Sequence, residues 1–353
     1  MGQGHNASID RLIDQVRAAA AAGTPLAIRG GNTKAFLGRP VEGTILDTRE
    51  HDGIVHYDPT ELVITARAGT PLVDVEVALA ERGQMLACES PHFGEGTTFG
   101  GMVAAGVSGP RRPWFGAVRD FVLGCRVIDS RANPLRFGGE VMKNVAGFDL
   151  SRAMAGSFGC LGLLTEVSMK VLPLPLHRAS LRIELDVQQS LKQLAHWATE
   201  PLPISAACHD GAALMLRLEG GHGSVNAAAA RLGGAPLEDD FWQQLRDHQL
   251  PFFAGTRPLW RLGLPTNKQL PKNLPGEVLI DWAGAQLWLR SDAPAQQIRD
   301  IATAARGHAA LWRGDSDMRF PPLPPALFAL HQRLKAQLDP KALFNPGRMY
   351  AGL

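Results

Sequence analysis

Apolar residues recur three and four positions apart at Ile9, Leu12, Ile13 and Val16, and the alanines from Ala18 to Ala22 carry the run on to Gly23. That spacing predicts a first helix with a glycine stop. The run Pro25-Leu26-Ala27-Ile28 predicts a buried strand behind it. Ile45-Leu46, Ile54 to Tyr57 and Leu62 to Ala66 predict three more strands, separated by the turn signals His51-Asp52-Gly53 and Asp58-Pro59. Leu72, Val75 and Leu79 mark a short amphipathic helix ended by Gly83. Phe121 to Asp129 and Pro134 to Phe137 read as a hairpin across Arg131-Ala132-Asn133, and Asp149 as the N-cap of a helix through Met154. Leu163 to Leu172 is a long strand that Pro173 and Pro175 terminate.

Past these prolines tryptophan becomes common and the glycine-rich pattern thins. Strand runs at Leu181 to Leu185, Leu214 to Leu218, Trp260 to Leu264, Val278 to Ile280 and Leu287 to Leu289 alternate with helical patterns at Gln188 to Trp197, Ser224 to Leu232 and Pro294 to Ala305. The alternation predicts a sheet with helices on one face. A proline cluster, Pro321 to Pro325, precedes a last helix carrying Leu327, Leu330 and Leu334. The expected organisation is a domain over 1–175, a second over 176–320 and a closing segment over 321–353.

Two stretches break the hydrophobic pattern. Arg29-Gly30-Gly31-Asn32-Thr33-Lys34 follows the first strand, and Gly94 to Gly109 (GEGTTFGGMVAAGVSG) holds six glycines and a single charge, Glu95. Glycine leaves no Cβ between its amide and a ligand, so successive N–H groups can form an anion-binding concavity suited to a diphosphate. Tight turns with a packed helix explain either stretch alone about as well.

Composition narrows the classes. The chain has 353 residues, 45% apolar and 20% charged, with a net charge of +2. No basic block suggests nucleic acid, no apolar stretch reaches the roughly 18 residues of a membrane span, and the N-terminus lacks the regions of a secretory signal. A cytoplasmic location is expected. Cys88, Cys125, Cys160 and Cys208 are widely spaced, which speaks for small core residues and against a metal site. Gly94-Glu95-Gly96 is followed by Gly100, one residue too late for a Rossmann loop, and no phosphate-loop lysine motif, serine elbow or zinc helix occurs.

Taken with Val141 to Pro173, VMKNVAGFDLSRAMAGSFGCLGLLTEVSMKVLP, the two glycine loops resemble the flavoproteins of the vanillyl-alcohol-oxidase or PCMH type. The resemblance implies an α+β fold: a two-subdomain FAD-binding domain, then a smaller α/β cap-like domain, and a C-terminal helix returning to the flavin domain. It implies that both loops wrap the FAD pyrophosphate, through Arg29, Gly30, Gly31, Asn32, Thr33 and Lys34 in the first and Gly96, Thr97, Thr98, Gly100, Gly101, Ala104 and Gly106 in the second, with Pro91 just ahead. It brings the backbone of Gly156 to Thr165, with Gly162, Leu163 and Leu164, to the flavin ring, and Asn345 of Asn345-Pro346-Gly347 back to the flavin domain. Members with a tethered flavin commonly carry histidine where Asn32 stands, so non-covalent FAD is implied.

Within that superfamily, KAFLGRP, YDPTELVITARAGTPL, GPRRPW, FGGEVMKNVAG and LFNPGRMY look like the E-type, FAD-binding subunits of bacterial glycolate oxidases. The likeness implies a D-type flavin subunit and an F-type iron–sulfur subunit as partners. It also implies oxidation of glycolate, and D-lactate as a second candidate, with electrons passed to the respiratory chain and the complex cytoplasmic or peripheral on the inner membrane. The histidine-rich metal motif HGHxGDGNxH of the D-lactate branch has no counterpart; Gly220-Gly221-His222-Gly223 holds one histidine and no acid. No metal site is expected, and no other cluster of His, Arg and acid is visible in its place. Arg261, His308 and Lys143 are of the right type to meet a hydroxy acid, but a solvated face or a core hydrogen bond explains each equally well, so no catalytic residue is named. Two readings stay open: a subunit whose flavin relays electrons, and a structural flavoprotein needed for assembly. Nearly complete flavin motifs beside a missing clamp for the hydroxy acid lead to the expectation that the isolated chain oxidises glycolate slowly. Trp282 and Trp288 are candidates for an exposed partner surface.

Overall fold

A computed structural model describes residues 3–139, 149–238, 240–265 and 270–353. The chain forms two compact units, one of residues 1–108, 117–174 and 322–353, the other of Gly109–Gly116 and Pro175–Pro321.

The first unit opens with the helix Gln3–Ala22, which Gly23 stops in a left-handed conformation (φ 65°). Two parallel strands, Leu26–Arg29 and Thr44–Asp47, follow. Five antiparallel strands make the larger sheet, in the order Ile54–Asp58, Val63–Arg67, Leu163–Lys170, Val122–Ile128 and Pro134–Gly138. The long strand sits centrally, hydrogen-bonded along both edges, and all but two of its positions, Glu166 and Lys170, are buried. The hairpin, the Asp149 cap (accepting from the Arg152 amide at 3.2 Å) and the glycine stop follow the sequence pattern. The second glycine stretch takes the form of tight turns with a packed helix. It is a turn followed by the seven-residue helix Phe99–Ala105, capped by Thr98, whose Oγ1 accepts from the Gly101 amide at 3.2 Å.

Two apolar cores fill this unit. Leu12, Val16, Leu26, Leu46, Ile128 and Leu163 gather in one, with Leu343 and Phe344 from the C-terminal segment. Ile64, Leu72, Val75, Phe99, Met102 and Val167 gather in the other, with Leu164. Adjacent residues of one strand point to opposite faces, which is why Leu163 and Leu164 divide between the two cores.

The C-terminal segment is tied down by polar groups. Leu26 donates to the Leu343 carbonyl at 2.8 Å and Asn345 to that of Leu26 at 3.0 Å. Lys335, on the helix Pro325–Leu338, donates to Asp339 at 2.7 Å and to the carbonyls of Cys160 (2.7 Å) and Phe344 (2.8 Å). Asp339 in turn accepts from the amides of Leu343 and Phe344. The leucines Leu327 and Leu330 of the same helix are exposed.

The second unit is built on an eight-stranded sheet with the order Ala235–Pro236, His177–Ile183, Leu214–Gly220, Ile204–His209, Glu277–Asp281, Gln286–Arg290, Leu259–Gly263 and His308–Arg313, every pairing antiparallel. The helices Val187–Trp197 and His222–Leu232 bury Leu194, Trp197 and Val225 with Leu214, Leu216 and Leu218, and Ala295–Ala304 buries Ile298 and Ala302 with Trp260, Leu262, Leu287 and Leu289. All three helices therefore share one face, as the β and α alternation predicts. The other face carries the alternate residues. Glu219 there meets Arg111 at 2.9 Å and Arg178 at 2.8 Å, with Arg217 at 3.6 Å, and the side chains of Arg111, Arg217 and Glu219 are each 2% exposed. Arg111 comes from the Gly109–Gly116 excursion, so this carboxylate fixes that segment to the sheet.

Candidate functional site

A cavity of about 320 Å³ opens in the first unit at the seam of its two cores. That is within the ~300–1,000 Å³ common for ligand pockets. All six residues from Arg29 to Lys34 line it, as do Thr97, Thr98, Gly100, Gly101, Ala104, Gly162, Leu164 and Asn345. Sequence reasoning thus brought fourteen of its eighteen named residues to one cavity. Four do not line it. Leu163 turns into the core by strand alternation. Gly106 closes the Phe99–Ala105 helix in a left-handed conformation, Pro91 is buried ahead of the loop, and Gly96 lies against the outer side of Gly31. Thr48 also lines the cavity and carried no sequence signal, while Phe158, from the Gly156 to Thr165 segment, and Ala68 and Arg348, from the family-like stretches YDPTELVITARAGTPL and LFNPGRMY, line it without having been singled out.

The local geometry suits a diphosphate. A Cβ on Gly31 would stand 1.7 Å from the Gly96 carbonyl oxygen, so only glycine lets the two loops touch. Thr33 and Thr97 join them by a hydroxyl contact of 2.7 Å. Asn32 is left-handed (φ 57°), which turns successive amides toward one side, and among the described residues no hydrogen bond takes up the N–H of Gly31, Asn32 or Thr33. By contrast the first amides of the Phe99–Ala105 helix are spent: Phe99 on the Thr70 carbonyl, Gly100 on that of Ala68 and Gly101 on Thr98. The amides left open to an anion therefore belong to the first loop, and the second supplies a close wall. Gly101 is that wall, since a Cβ there would meet Thr98 Oγ1 at 2.9 Å and otherwise open space.

The C-terminal segment completes the cavity. Asn345 accepts from the Ile28 amide at 2.8 Å and donates to the Phe158 carbonyl at 2.7 Å. Arg348 donates to the carbonyls of Arg39 (2.6 Å), Ala35 (3.1 Å) and Lys34 (3.3 Å), adding positive charge beside the first loop. Cys160 sits below, and burial pushes its thiol up to about 11. Cys88 and Cys125, each pushed up to about 12, and Cys208 are likewise buried and free. Among the described residues no three His, Cys, Asp or Glu side chains gather as a metal site would need.

Residues 6–138 match the family described as FAD binding domain. Over 342 residues the chain is 59% identical to glycolate oxidase subunit GlcE of Escherichia coli (strain K12), covering 97% of each. The chain belongs to the GlcE family. Glycolate oxidase subunit GlcD of Bacillus subtilis (strain 168) is 32% identical to this GlcE-family chain over 153 residues, 43% of it and 32% of GlcD. A solved structure of alkyldihydroxyacetonephosphate synthase matches with a TM-score of 0.71 at 16% identity, over 96% of this chain and 75% of the synthase, and so shares the fold.

In the second unit of the GlcE-family chain two expectations are corrected. Trp282 and Trp288 are not exposed but 6% and 4% accessible. The Trp282 indole donates to the Gly109 carbonyl at 3.0 Å, and Trp288 packs edge-on against His248, Phe253 and Trp312. The expected lack of a His, Arg and acid cluster also fails. Arg261, Asp281 and His308, distant in sequence, meet on the sheet face away from the helices, with Arg112 from the excursion. Lys143 and the VMKNVAG motif lie outside the described residues. No described helix is long and apolar enough to cross a membrane.

Proposed function

We propose that this chain is the FAD-carrying subunit of a multi-subunit complex that oxidises glycolate, with D-lactate as a second candidate substrate, to the 2-oxo acid. The observation that carries the reading is the end-to-end likeness to a glycolate oxidase subunit, on a chain whose two glycine loops meet around one cavity. A D-type flavin subunit and an F-type iron–sulfur subunit would be its partners, in a cytoplasmic complex or one peripheral on the inner membrane, handing electrons to the respiratory chain. When bound, FAD supplies a two-electron acceptor. In this reading the amides of Gly31 to Thr33 hold the diphosphate, Lys34 and Arg348 balance its charge, Gly101 lets it approach the backbone, and Leu164 and Asn345 close the cavity to water. Asn32 offers no ring nitrogen for a tether, so the flavin is non-covalent.

The test is in two parts. Acid precipitation of the purified yellow protein should release intact FAD; flavin that stays in the pellet would overturn the non-covalent reading. The assembled complex should then oxidise glycolate with an artificial electron acceptor, and the isolated FAD-loaded chain should do so far more slowly. An assembled complex inert to glycolate would overturn the substrate assignment.

A further inference from the structure

We propose that Arg261 and Arg112, set on the indole of Trp282, form a binding site for the carboxylate of a small 2-hydroxy acid. The site deepens the function proposed above and rests on that reading for its choice of acid.

Strand register puts the pieces together. Trp260 and Leu262 point into the helix-covered core, so Arg261 between them points to the opposite face. Arg261 pairs with Trp288 on one side and Ala310 on the other, Gly263 with Gln286 and His308, and Gln286 with Asp281, so these side chains share that face. The excursion adds a second guanidinium: the Arg112 Cζ lies 4.3 Å from the Trp282 ring centre, and the Arg261 Cζ lies 5.0 Å from the same ring and 5.3 Å from that of Trp312. Flat guanidiniums stack on indoles in this way.

Arg261 is held from behind. Its Nε donates to Gln286 Oε1 at 2.5 Å, Gln286 Nε2 donates to Asp281 Oδ2 at 3.0 Å, and Asp281 Oδ1 accepts from the Trp282 amide at 2.7 Å. Among the described residues the two terminal nitrogens of Arg261 make no hydrogen bond, and no carboxylate lies within ion-pair distance of it. The unspent edge is the one that grips a carboxylate with two parallel hydrogen bonds. Charge favours the same occupant. Burial, and then the charge of Arg112, pulls Arg261 down to about 10, which leaves it a cation at neutral pH. Burial pushes the Asp281 carboxyl up to about 7, so it offsets only part of the Arg261 charge. His308 is pushed down by burial and by both arginines, and is a neutral imidazole able to accept from the hydroxyl of a 2-hydroxy acid.

The experiment titrates the FAD-loaded full chain with glycolate, following tryptophan fluorescence, since Trp282 and Trp312 flank the site. Glycolamide, its uncharged counterpart, and inorganic phosphate are run beside it. Glycolate should give a saturable change and glycolamide none. Arg261→Gln should weaken glycolate by roughly tenfold or more, and Arg261→Lys by less, because charge without the fork keeps part of the interaction. Arg112→Gln provides a second test if Arg261→Gln loses its fold, which circular dichroism would reveal. No saturable response, unaltered binding in the folded variants, or phosphate binding as tightly as glycolate would each overturn the site. Failure of the site leaves glycolate turnover by the assembled complex untouched. Arg261-dependent binding of glycolate with an inert complex would uphold the site and refute the functional reading.

Discussion

In the first unit the proposed cofactor site offers peptide groups: the amides of Gly31 to Thr33, the bare Cα of Gly101 and the carbonyl-anchored turn around Asn345. In the second the proposed carboxylate site offers the ends of side chains, Arg112 and Arg261, whose positions depend on Gln286, Asp281 and the Glu219 network. A site made of backbone tolerates change in most side chains but almost none in its glycines. A site made of charged side chains on a sheet depends on every carboxylate that orients or neutralises them. The two units should accordingly fail in different ways.

The largest effect is expected where the charged network is broken. Glu219→Gln removes the carboxylate from between Arg111 and Arg217, both buried, and such a loss costs about 3–5 kcal/mol. Urea denaturation should show it, and a cost below about 1 kcal/mol would mean that the excursion is held by its other contacts. Next comes Gly101→Val, which sets a branched side chain against the cavity without a backbone clash. FAD retained after gel filtration should fall by roughly tenfold or more, with little change in melting temperature. Full FAD retention in that variant would show that the second loop does not border the cofactor. The smallest effect concerns Asp281. Its folded pKa, about 7, exceeds the ordinary 3.8, so the protonated carboxyl stabilises the fold at low pH and that contribution is lost as pH rises through about 7. Asp281→Asn stays neutral, so its melting temperature minus that of the wild type should climb by a few degrees from about pH 5 to about pH 9. A flat difference would remove the assigned burial of that carboxyl.

The same contrast explains what was legible beforehand. Loops that need glycine leave a run of glycines, so Arg29 to Lys34 and the Gly94 to Gly109 stretch announced themselves. The strand Leu163–Lys170 was visible because its buried positions carry Leu163, Leu164, Val167 and Met169, an apolar density that Pro173 ends. The strand Ile204–His209, ISAACH, was not, since its small buried residues give neither alternation nor a strongly apolar run. His308–Arg313 hid similarly behind its alanines. The Arg112, Arg261, Asp281 and His308 cluster is built from four separate segments, and only strand register brings them together. Trp282 and Trp288 misled because tryptophan frequency says nothing about which face of a strand it occupies. The excursion Gly109–Gly116 follows the glycine stretch directly, with no change of composition to mark where the chain passes to the other unit.

The hydrogen bond from the Ile28 amide to Asn345 spans 317 positions of sequence. At roughly 5–20 residues per second of synthesis, the ribosome emits the first loop about 15–60 s before it emits the residue that closes the cavity beside it. For that interval the first glycine loop waits with one wall missing. In the proposed site, flavin loading therefore follows the emergence of Asn345, and any factor that protects the nascent first unit acts before the cofactor can.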